Sequence, residues 1–287
     1  MRIRLMAFFM VAALDIALAP LVIKTIAQSD GEQRGRARER QVERESARDR
    51  GDNEDSEFTQ RDEINQRYEL APGAAVEVRG INGTVDIETH SGSTAEVNIV
   101  RLARDREDLN YRKIIIEQTP NRLVVRGEKE NQSWDRRQVK QRVILRLPRQ
   151  VDLNVSGVNG RATVGEIDGP VRLSGINGKV EVGQAVGYSE ISGINGKVSV
   201  TISQLSERGI RVSGVNGGVE LRFRDDVNAD LEATGINGNV NMDVAEVVIE
   251  GKFSRQNFRA RIGAGGTPIR VSGVNGSVKL TRANSIG

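Results

Sequence analysis

The sequence contains no cysteine and only one histidine among its 287 residues, and aromatic residues make up 3% of it. Without cysteine the chain can form neither disulfides nor thiolate metal sites, and it has no cysteine nucleophile. The single histidine, His90, excludes zinc sites built from several histidines and leaves little for acid–base catalysis. Glycine, by contrast, occurs 31 times. A chain poor in aromatics and rich in glycine favours repetitive β structure with many tight turns.

The first residues have the order of regions that is typical of a secretory signal. Two arginines precede an apolar run at Leu5–Leu14, and a small residue, Ala27, closes the apolar stretch that follows. Asp15 and Lys24 interrupt the apolar residues and disfavour a retained membrane anchor, which stays the alternative. We therefore predict a signal peptide at residues 1–27 and an extracytoplasmic location, in the periplasm or at the cell surface. Membrane contact is expected only if the signal is uncleaved.

Residues 28–66 are highly charged and contain almost no large apolar side chains. Like charges recur four residues apart, which disfavours a helix, and there is no apolar stripe to bury. We predict a disordered, extended spacer. Its Arg34–Arg50 part is basic, and two interpretations stay open for it: contact with an anionic lipid or polysaccharide, or a purely solubilising linker. No nucleic-acid partner is expected, because no aromatic pattern is interleaved with the basic residues.

Short apolar alternations after Tyr68 predict β-strands through residue 150, and we interpret residues 67–150 as an N-terminal β cap. The expected strands are Val76–Val78, Val85–Ile87, Ala95–Leu102, Ile114–Ile116, Leu123–Arg126 and Gln138–Leu147. Either one helical turn or an irregular strap is expected at Asp105–Asn110. A polar excursion before the last of these strands carries the only tryptophan, Trp134, either as an anchor for a partner or as a local lid.

The motif Gly-[Ile/Val]-Asn-Gly occurs seven times. Its Asn-Gly pairs are Asn82–Gly83, Asn159–Gly160, Asn177–Gly178, Asn195–Gly196, Asn216–Gly217, Asn237–Gly238 and Asn275–Gly276. From Asn159 onward, successive asparagines are 18, 18, 21, 21 and 38 residues apart. A period near 20 residues is the signature of a solenoid, in which each unit buries its apolar face against the next. We predict a single-chain β-solenoid at residues 151–287, with either a degenerate repeat or an insertion near residue 256.

Within one repeat the alternation predicts which side chains face the core. Those expected to point inward are Val171, Leu173, Ile176, Val180 and Val182, and those expected to point outward are Arg172, Lys179 and Glu181. Asn and Gly tolerate positive φ, so the Asn-Gly pair is expected to form the corner. Neighbouring corners would lie ~4.8 Å apart, close enough for an amide ladder. Asn275 is last in the sequence, so we expect it to have a neighbour on one side only.

Asn-Gly is also a strong signal for a two-residue hairpin, so an antiparallel β meander or sandwich stays the alternative fold. A meander would place turns every ~8–12 residues rather than at one long step. The outward positions contain no column of acids, and Asp225, Asp226 and Asp230 are interpreted as solvated turn residues. We predict no catalytic, cofactor-binding or metal-binding residues, and no cofactor.

The repeated motif, the early segment A-V-E-V-R-G-I-N-G-T-V-D-I and the closing segment G-A-G-G-T-P-I-R-V-S-G-V-N-G-S-V-K-L resemble the bacterial putative-adhesin domain family. The head-GIN domains are similar in style, and the resemblance covers residues 67–287. It implies an exported β-solenoid at the cell envelope with no catalytic residues. We expect a non-catalytic module that binds an envelope polymer or protein. The alternatives are self-assembly through the solenoid ends and, less favoured, a β-helix enzyme acting on polysaccharides.

Overall fold

The computed structural model describes residues 58–129, 139–184, 187–202, 204–223, 228–244, 247–254 and 257–282. The expected signal peptide, the spacer up to residue 57, Trp134, Asp225 and Asp226 lie outside these residues. Within them the chain is strand almost throughout with one short helix, so the all-β class is confirmed. No helix in these segments is long and apolar enough to cross a membrane.

The N-terminal part contains every strand expected from the sequence, and one more that precedes them. Its elements are β1 (Gln60–Glu69), β2 (Ala74–Arg79), β3 (Gly83–His90), β4 (Thr94–Ala103), α1 (Arg106–Tyr111), β5 (Arg112–Thr119), β6 (Arg122–Lys129) and β7 (Val139–Pro148). The helix α1 begins after Asp105, whose side chain accepts a hydrogen bond from the Asp108 amide. Of the two alternatives expected at Asp105–Asn110, the helical turn is therefore the one that forms.

The remaining strands alternate with the Asn-Gly corners. They are β8 (Val151–Ser156), β9 (Ala162–Ile167), β10 (Val171–Ile176), β11 (Val180–Gln184), β12 (Ser189–Asn195), β13 (Val198–Ile202), β14 (Ile210–Asn216), β15 (Val219–Phe223), β16 (Ala229–Ile236), β17 (Val240–Asp243), β18 (Val247–Ser254), β19 (Asn257–Ile262), β20 (Thr267–Val274) and β21 (Val278–Arg282).

The described strands form two mixed sheets. In sheet I the order is β1-β4-β7-β3-β9-β11-β13-β15-β21-β17, and in sheet II it is β18-β19-β16-β20-β14-β12-β10-β8-β2-β6-β5. Each Asn-Gly corner joins a strand of sheet II to the following strand of sheet I. We call two strands joined in this way a strand pair; β10 and β11, joined at Asn177, are one example.

Neighbouring strand pairs associate in parallel and in register. Leu173 of β10 faces Ile191 of β12, which faces Val212 of β14. In sheet I, Val180 of β11 faces Val198 of β13 in the same way. Matching positions of the repeat therefore stack on one another, so the alternative of an antiparallel meander is wrong for this region.

The interior is apolar and continuous along the stack. The five side chains expected to point inward are each at most 3% exposed: Val171, Leu173, Ile176, Val180 and Val182. They belong to one buried cluster that extends from Leu70 to Leu280. Burying aliphatic surface between two sheets is worth about 25 cal/mol per Å², so this cluster is the main stabilising element.

The strand pairs do not stack in sequence order at the C-terminal end. The last pair in sequence, β20 with β21, lies between β14/β15 and β16/β17. The expectation that Asn275 has one neighbour is therefore wrong, and the terminal position belongs to Asn237. The long gap between these two asparagines holds the antiparallel strands β18 and β19, which pair with each other and, through β19, with β16. It is an insertion rather than a degenerate repeat.

The opposite end of the stack is closed by strands from the expected cap. The pair β2/β3 contacts β8/β9 directly in both sheets, so no sheet boundary falls at residue 150. On its other side β2 pairs with β6 and β3 with β7, again in parallel. Antiparallel strands complete the ends, with β5 on β6, β4 on β7 and β1 on β4.

The strand β1 begins at Gln60, so residues 60–66, which we assigned to the spacer, are paired backbone. The sequence does not predict this part of the strand because it lacks apolar alternation. Side chains of β1 instead form ion pairs with residues of β4. Arg101 Nε donates to Asp62 Oδ2 at 2.9 Å, and Arg67 lies 2.7 Å from Glu96. Only Ile64 and Tyr68 pack against the core from this strand.

Candidate functional site: the Asn-Gly corners

The seven corner asparagines form one uninterrupted ladder. Each side-chain amide nitrogen donates to the side-chain oxygen of the next asparagine, at 2.9–3.1 Å, in the spatial order Asn237, Asn275, Asn216, Asn195, Asn177, Asn159 and Asn82. Asn82 closes one end by donating to the backbone oxygen of Val139 at 2.9 Å. All seven side chains act as donors in the same direction, which fixes the orientation of every amide along the ladder.

The glycines on either side of each asparagine permit this close stacking. The glycine before the asparagine has φ near +60°, as at Gly175 and Gly193. In the corners at Asn82, Asn159, Asn177, Asn195 and Asn216 the second glycine has a φ between +149° and +155° and lies against the backbone of a neighbouring strand or corner. A Cβ added to Gly178 would come within 2.1 Å of the Gly160 backbone oxygen. The positive φ that we expected of the corner is therefore found on its glycines, where it has no steric cost.

A column of hydroxyl side chains follows the ladder on the outer face of sheet II. One serine or threonine directly precedes the first corner glycine in six of the seven repeats, and these residues pair strand by strand in the order Ser156, Ser174, Ser192, Ser213, Ser272 and Thr234. The sequence analysis did not single out these residues, although the recurring S-G-[IV]-N-G signal was visible. All six residues are half-buried, and none of their side-chain hydroxyls hydrogen-bonds to another residue within the described part of the chain.

Hydroxyls, corner glycines and asparagines together form a surface that we call the amide–hydroxyl strip. It has three rows: the hydroxyl column, the bare backbone of the first corner glycines and the asparagine ladder. Charged columns flank it. On the strand side, Arg172 pairs with Asp152 at 2.6 Å, and Arg259 with Glu232 at 2.9 Å. The strip is an uncharged, regularly spaced surface that can donate and accept hydrogen bonds along its length.

Beyond the corners, charged side chains on sheet I pair with one another. Lys197 Nζ lies 2.5 Å from Glu220, and Arg222 lies 3.3 Å from the same carboxylate. The hydrogen bond from Lys197 lowers the pKa of Glu220 to about 2, against the opposing effect of burial and with further help from Arg222. Lys179 pairs with Glu181 at 2.5 Å in the repeat next to Lys197. These pairs neutralise the charge beside the strip.

Two described side chains that the sequence analysis considered, His90 and Asp230, make structural contacts. His90 Nε2 lies 2.8 Å from the Thr94 backbone oxygen, and its Nδ1 accepts from the Gly92 amide, so the ring holds the turn after β3. Asp230 accepts from the Gly266 amide at 3.1 Å. The described residues contain no group of three His, Asp or Glu side chains placed to hold a metal ion.

A second surface feature is a shallow groove of about 580 Å³ on the outer face of sheet I, across β1, β4, β7 and β3. Its charges are paired. Arg146 lies 2.8 Å from Glu88 and 3.7 Å from Glu96, and the hydrogen bond that Arg146 donates to Glu88 raises the pKa of Arg146. The groove offers little uncompensated charge to a ligand, so the amide–hydroxyl strip is the better candidate site.

This chain is similar, at low sequence identity, to several solved structures. One is a putative cell adhesion protein from Clostridium sporogenes, with 13% identity over 78% of this chain and 100% of that one, and a TM-score of 0.35. Another is a putative adhesin from Bacteroides fragilis, with 12% identity over 76% and 97% and a TM-score of 0.32. A third is a putative lipid binding protein from Parabacteroides distasonis, with 12% identity over 77% and 97% and a TM-score of 0.28.

At these TM-scores the likeness carries no argument about activity or ligands. No family model and no curated protein matches the chain.

Proposed function

We propose that this protein is an exported, non-catalytic, adhesin-like module of the cell envelope that binds a polymer or protein through a regular β-solenoid surface. Parallel, in-register pairing at every Asn-Gly corner supports the solenoid interpretation, because each strand pair repeats the one before it in both sheets. The basic and apolar N-terminal residues support export.

The observation that carries the proposal is the amide–hydroxyl strip. Its uncharged donors and acceptors recur at the strand spacing, ~4.8 Å. A ligand with its own repeating polar groups would meet the same contact at each step, and weak contacts would then add along the length of the strip. The absence of a free acid or base on the strip favours binding over chemistry.

Co-sedimentation with isolated envelope polysaccharide tests this function. The variant carrying both Ser192→Glu and Ser213→Glu places two charges in the hydroxyl column and is expected to abolish retention. The matched control is Thr201→Glu, which adds a charge at a half-buried hydroxyl on the outer face of sheet I. Equal retention of both variants would show that the strip does not bind. Fractionation of cells expressing the full chain tests export, and recovery in the cytosol alone contradicts it.

A second candidate function, self-assembly, is favoured by the open end of the stack. The edge strand β17 is paired on one side only, and on the edge strand β18 Val248 is 58% exposed and Ile249 46% exposed. Unpaired edges with exposed apolar side chains can template another copy. Sedimentation over a concentration series separates the candidates. If Val248→Lys with Ile249→Lys abolishes an association that Thr201→Lys leaves intact, self-assembly is supported.

A further inference from the structure

Asparagine followed by glycine is the dipeptide most prone to spontaneous loss of the side-chain amide. The backbone nitrogen of the glycine attacks the asparagine Cγ, the bond from Cγ to the side-chain nitrogen breaks, and ammonia leaves with the proton of the attacking nitrogen. The product is a five-membered succinimide. Water then adds to either carbonyl carbon, the bond from that carbon to the ring nitrogen breaks, and the nitrogen regains a proton; the product is aspartate or isoaspartate. Two freedoms are needed: the carboxamide must rotate towards the backbone, and the glycine N–H must be free to react.

Every corner except Asn237 restricts the first freedom, because its side-chain oxygen accepts a ladder hydrogen bond. Two corners, at Asn195 and Asn216, also restrict the second. The Asn195 carboxamide donates to Asn177 and accepts from Asn216, both at 3.0 Å, so its rotation breaks two hydrogen bonds. The following amide is also engaged, since the Gly196 N–H donates to the Asn216 backbone oxygen at 3.0 Å. The Gly217 N–H donates in the same way to the Asn275 backbone oxygen at 3.1 Å. The parallel stack therefore protects an intrinsically reactive sequence.

The corner at Asn237 lacks this protection because no strand pair follows it. Its carboxamide donates to Asn275 at 3.1 Å, but within the described residues no group donates to its Oδ1. No described residue accepts from the Gly238 N–H, but this also holds for Gly160, Gly178 and Gly276, so the unengaged Oδ1 is what sets Asn237 apart. The next strand, β17, is the edge of sheet I.

The other end of the ladder differs from this one. Asn82 accepts from Asn159 and donates to the Val139 backbone oxygen, both at 2.9 Å. Its backbone N–H donates to the Gln141 side chain at 2.9 Å, and its backbone oxygen accepts from the Gln141 N–H. Asn82 is therefore held on both sides, although it is also terminal in the ladder.

We propose that Asn237 is a site of spontaneous covalent modification, at which the amide is lost through the Gly238 nitrogen, while the ladder hydrogen bonds that the other six carboxamides accept protect those corners. The product carries a carboxylate in place of the amide donor. Its oxygen then faces the side-chain oxygen of Asn275, and two acceptors repel. Asn275 loses its only side-chain donor, so it becomes the new open end. Modification therefore advances from this end in the spatial order, Asn275 before Asn216.

Peptide mapping of the full chain after incubation in mildly alkaline buffer tests the site, with enzymatic methylation as a second readout for isoaspartate. We expect Asn237 to convert at least about tenfold faster than Asn195, because native hydrogen bonding limits reaction to locally opened molecules. The same chain in concentrated urea is the control, and there all seven pairs should convert at similar rates. Equal native rates at the seven corners, or a fastest rate at Asn82, would overturn the proposal.

A single substitution tests the direction of advance. Asn237→Asp supplies the product from the start, so the conversion of Asn275 should accelerate about tenfold while that of Asn195 stays unchanged. The control variant Arg161→Thr leaves the ladder intact and should change neither rate. Acceleration at Asn195 equal to that at Asn275 would indicate general destabilisation and would contradict stepwise loss from the open end.

Discussion

Replacement of Asn195 by valine removes two rungs of the amide ladder at once. The Asn195 side chain donates to Asn177 and accepts from Asn216, and valine can do neither. A neutral hydrogen bond contributes ~0.5–1.5 kcal/mol, so the two together contribute about 1–3 kcal/mol to the free energy of unfolding. Because the corner is exposed, water satisfies part of what the neighbours lose, and we expect a value in the lower half of this range.

Three further variants provide comparisons for the loss in free energy of unfolding expected for Asn195→Val. Asn275→Val should cost as much as the interior change, because Asn275 has a ladder neighbour on both sides. Asn237→Val removes one ladder bond and should cost about half as much. Arg161→Thr, also directly after an Asn-Gly pair, should stay within ~0.5 kcal/mol of the wild type because its side chain is exposed. Lys197 is unsuitable as a control because it pairs with Glu220.

Urea denaturation of the four variants is the assay, with the change in midpoint interpreted only where the slope is unchanged. If Asn195→Val and Arg161→Thr have the same midpoint, the ladder contributes nothing to stability. If Asn275→Val is as mild as Asn237→Val, the spatial order of the last two strand pairs is wrong.

Two other changes test the corner packing and the charged side of the stack. Gly196→Ala should lower the free energy of unfolding by roughly 2–6 kcal/mol, because its Cβ would lie 2.2 Å from the Gly178 backbone oxygen at a φ of +155°. Gly193→Ala meets no backbone closer than 3.6 Å and should cost roughly 1–2 kcal/mol, from its positive φ alone; equal losses would contradict the stacking. The folded-state pKa of Glu220 is lowered from 4.5 to about 2, so its stabilisation is present above pH 4.5 and is lost as the pH falls through about 2. Glu220→Gln should therefore be less stable than the wild type by roughly 1–3 kcal/mol at neutral pH, and the difference should close at low pH in denaturation titrations; a gap independent of pH would refute the ion-pair account.

The sequence predicts the local structure well because alternation and turn chemistry act over a few residues. Strands, the helical turn and the five inward side chains of the repeat lie where the pattern places them. The corner asparagines could be identified for the same reason, since the Asn-Gly pair recurs at the long step. The hydroxyl column could also have been found, because a serine or threonine precedes six of the seven motifs.

The order of strands in space could not be predicted from spacing. From a series of repeats one expects strand pairs that stack in chain order. No local sequence pattern shows that β20/β21 lies between β14/β15 and β16/β17. The antiparallel strands β18 and β19 lack the Asn-Gly signal, so the gap before Asn275 was open to two interpretations. Residues 60–66 of β1 were assigned to the spacer because their side chains are mostly polar and contact β4 through ion pairs such as Asp62 with Arg101 rather than through an apolar face.

Engineered disulfides test the central claim, that the strand pairs stack in this spatial order to form one continuous strip. The chain has no native cysteine, so any disulfide must join the two introduced residues. In the structure Ser213 faces Ser272, and Thr234 lies one strand further on. A disulfide requires Cα atoms within about 7 Å, whereas residues two strands apart are separated by roughly 10 Å. Under mild oxidation Ser213→Cys with Ser272→Cys should therefore cross-link within the monomer and Ser213→Cys with Thr234→Cys should not; the reverse result would contradict the stacking order.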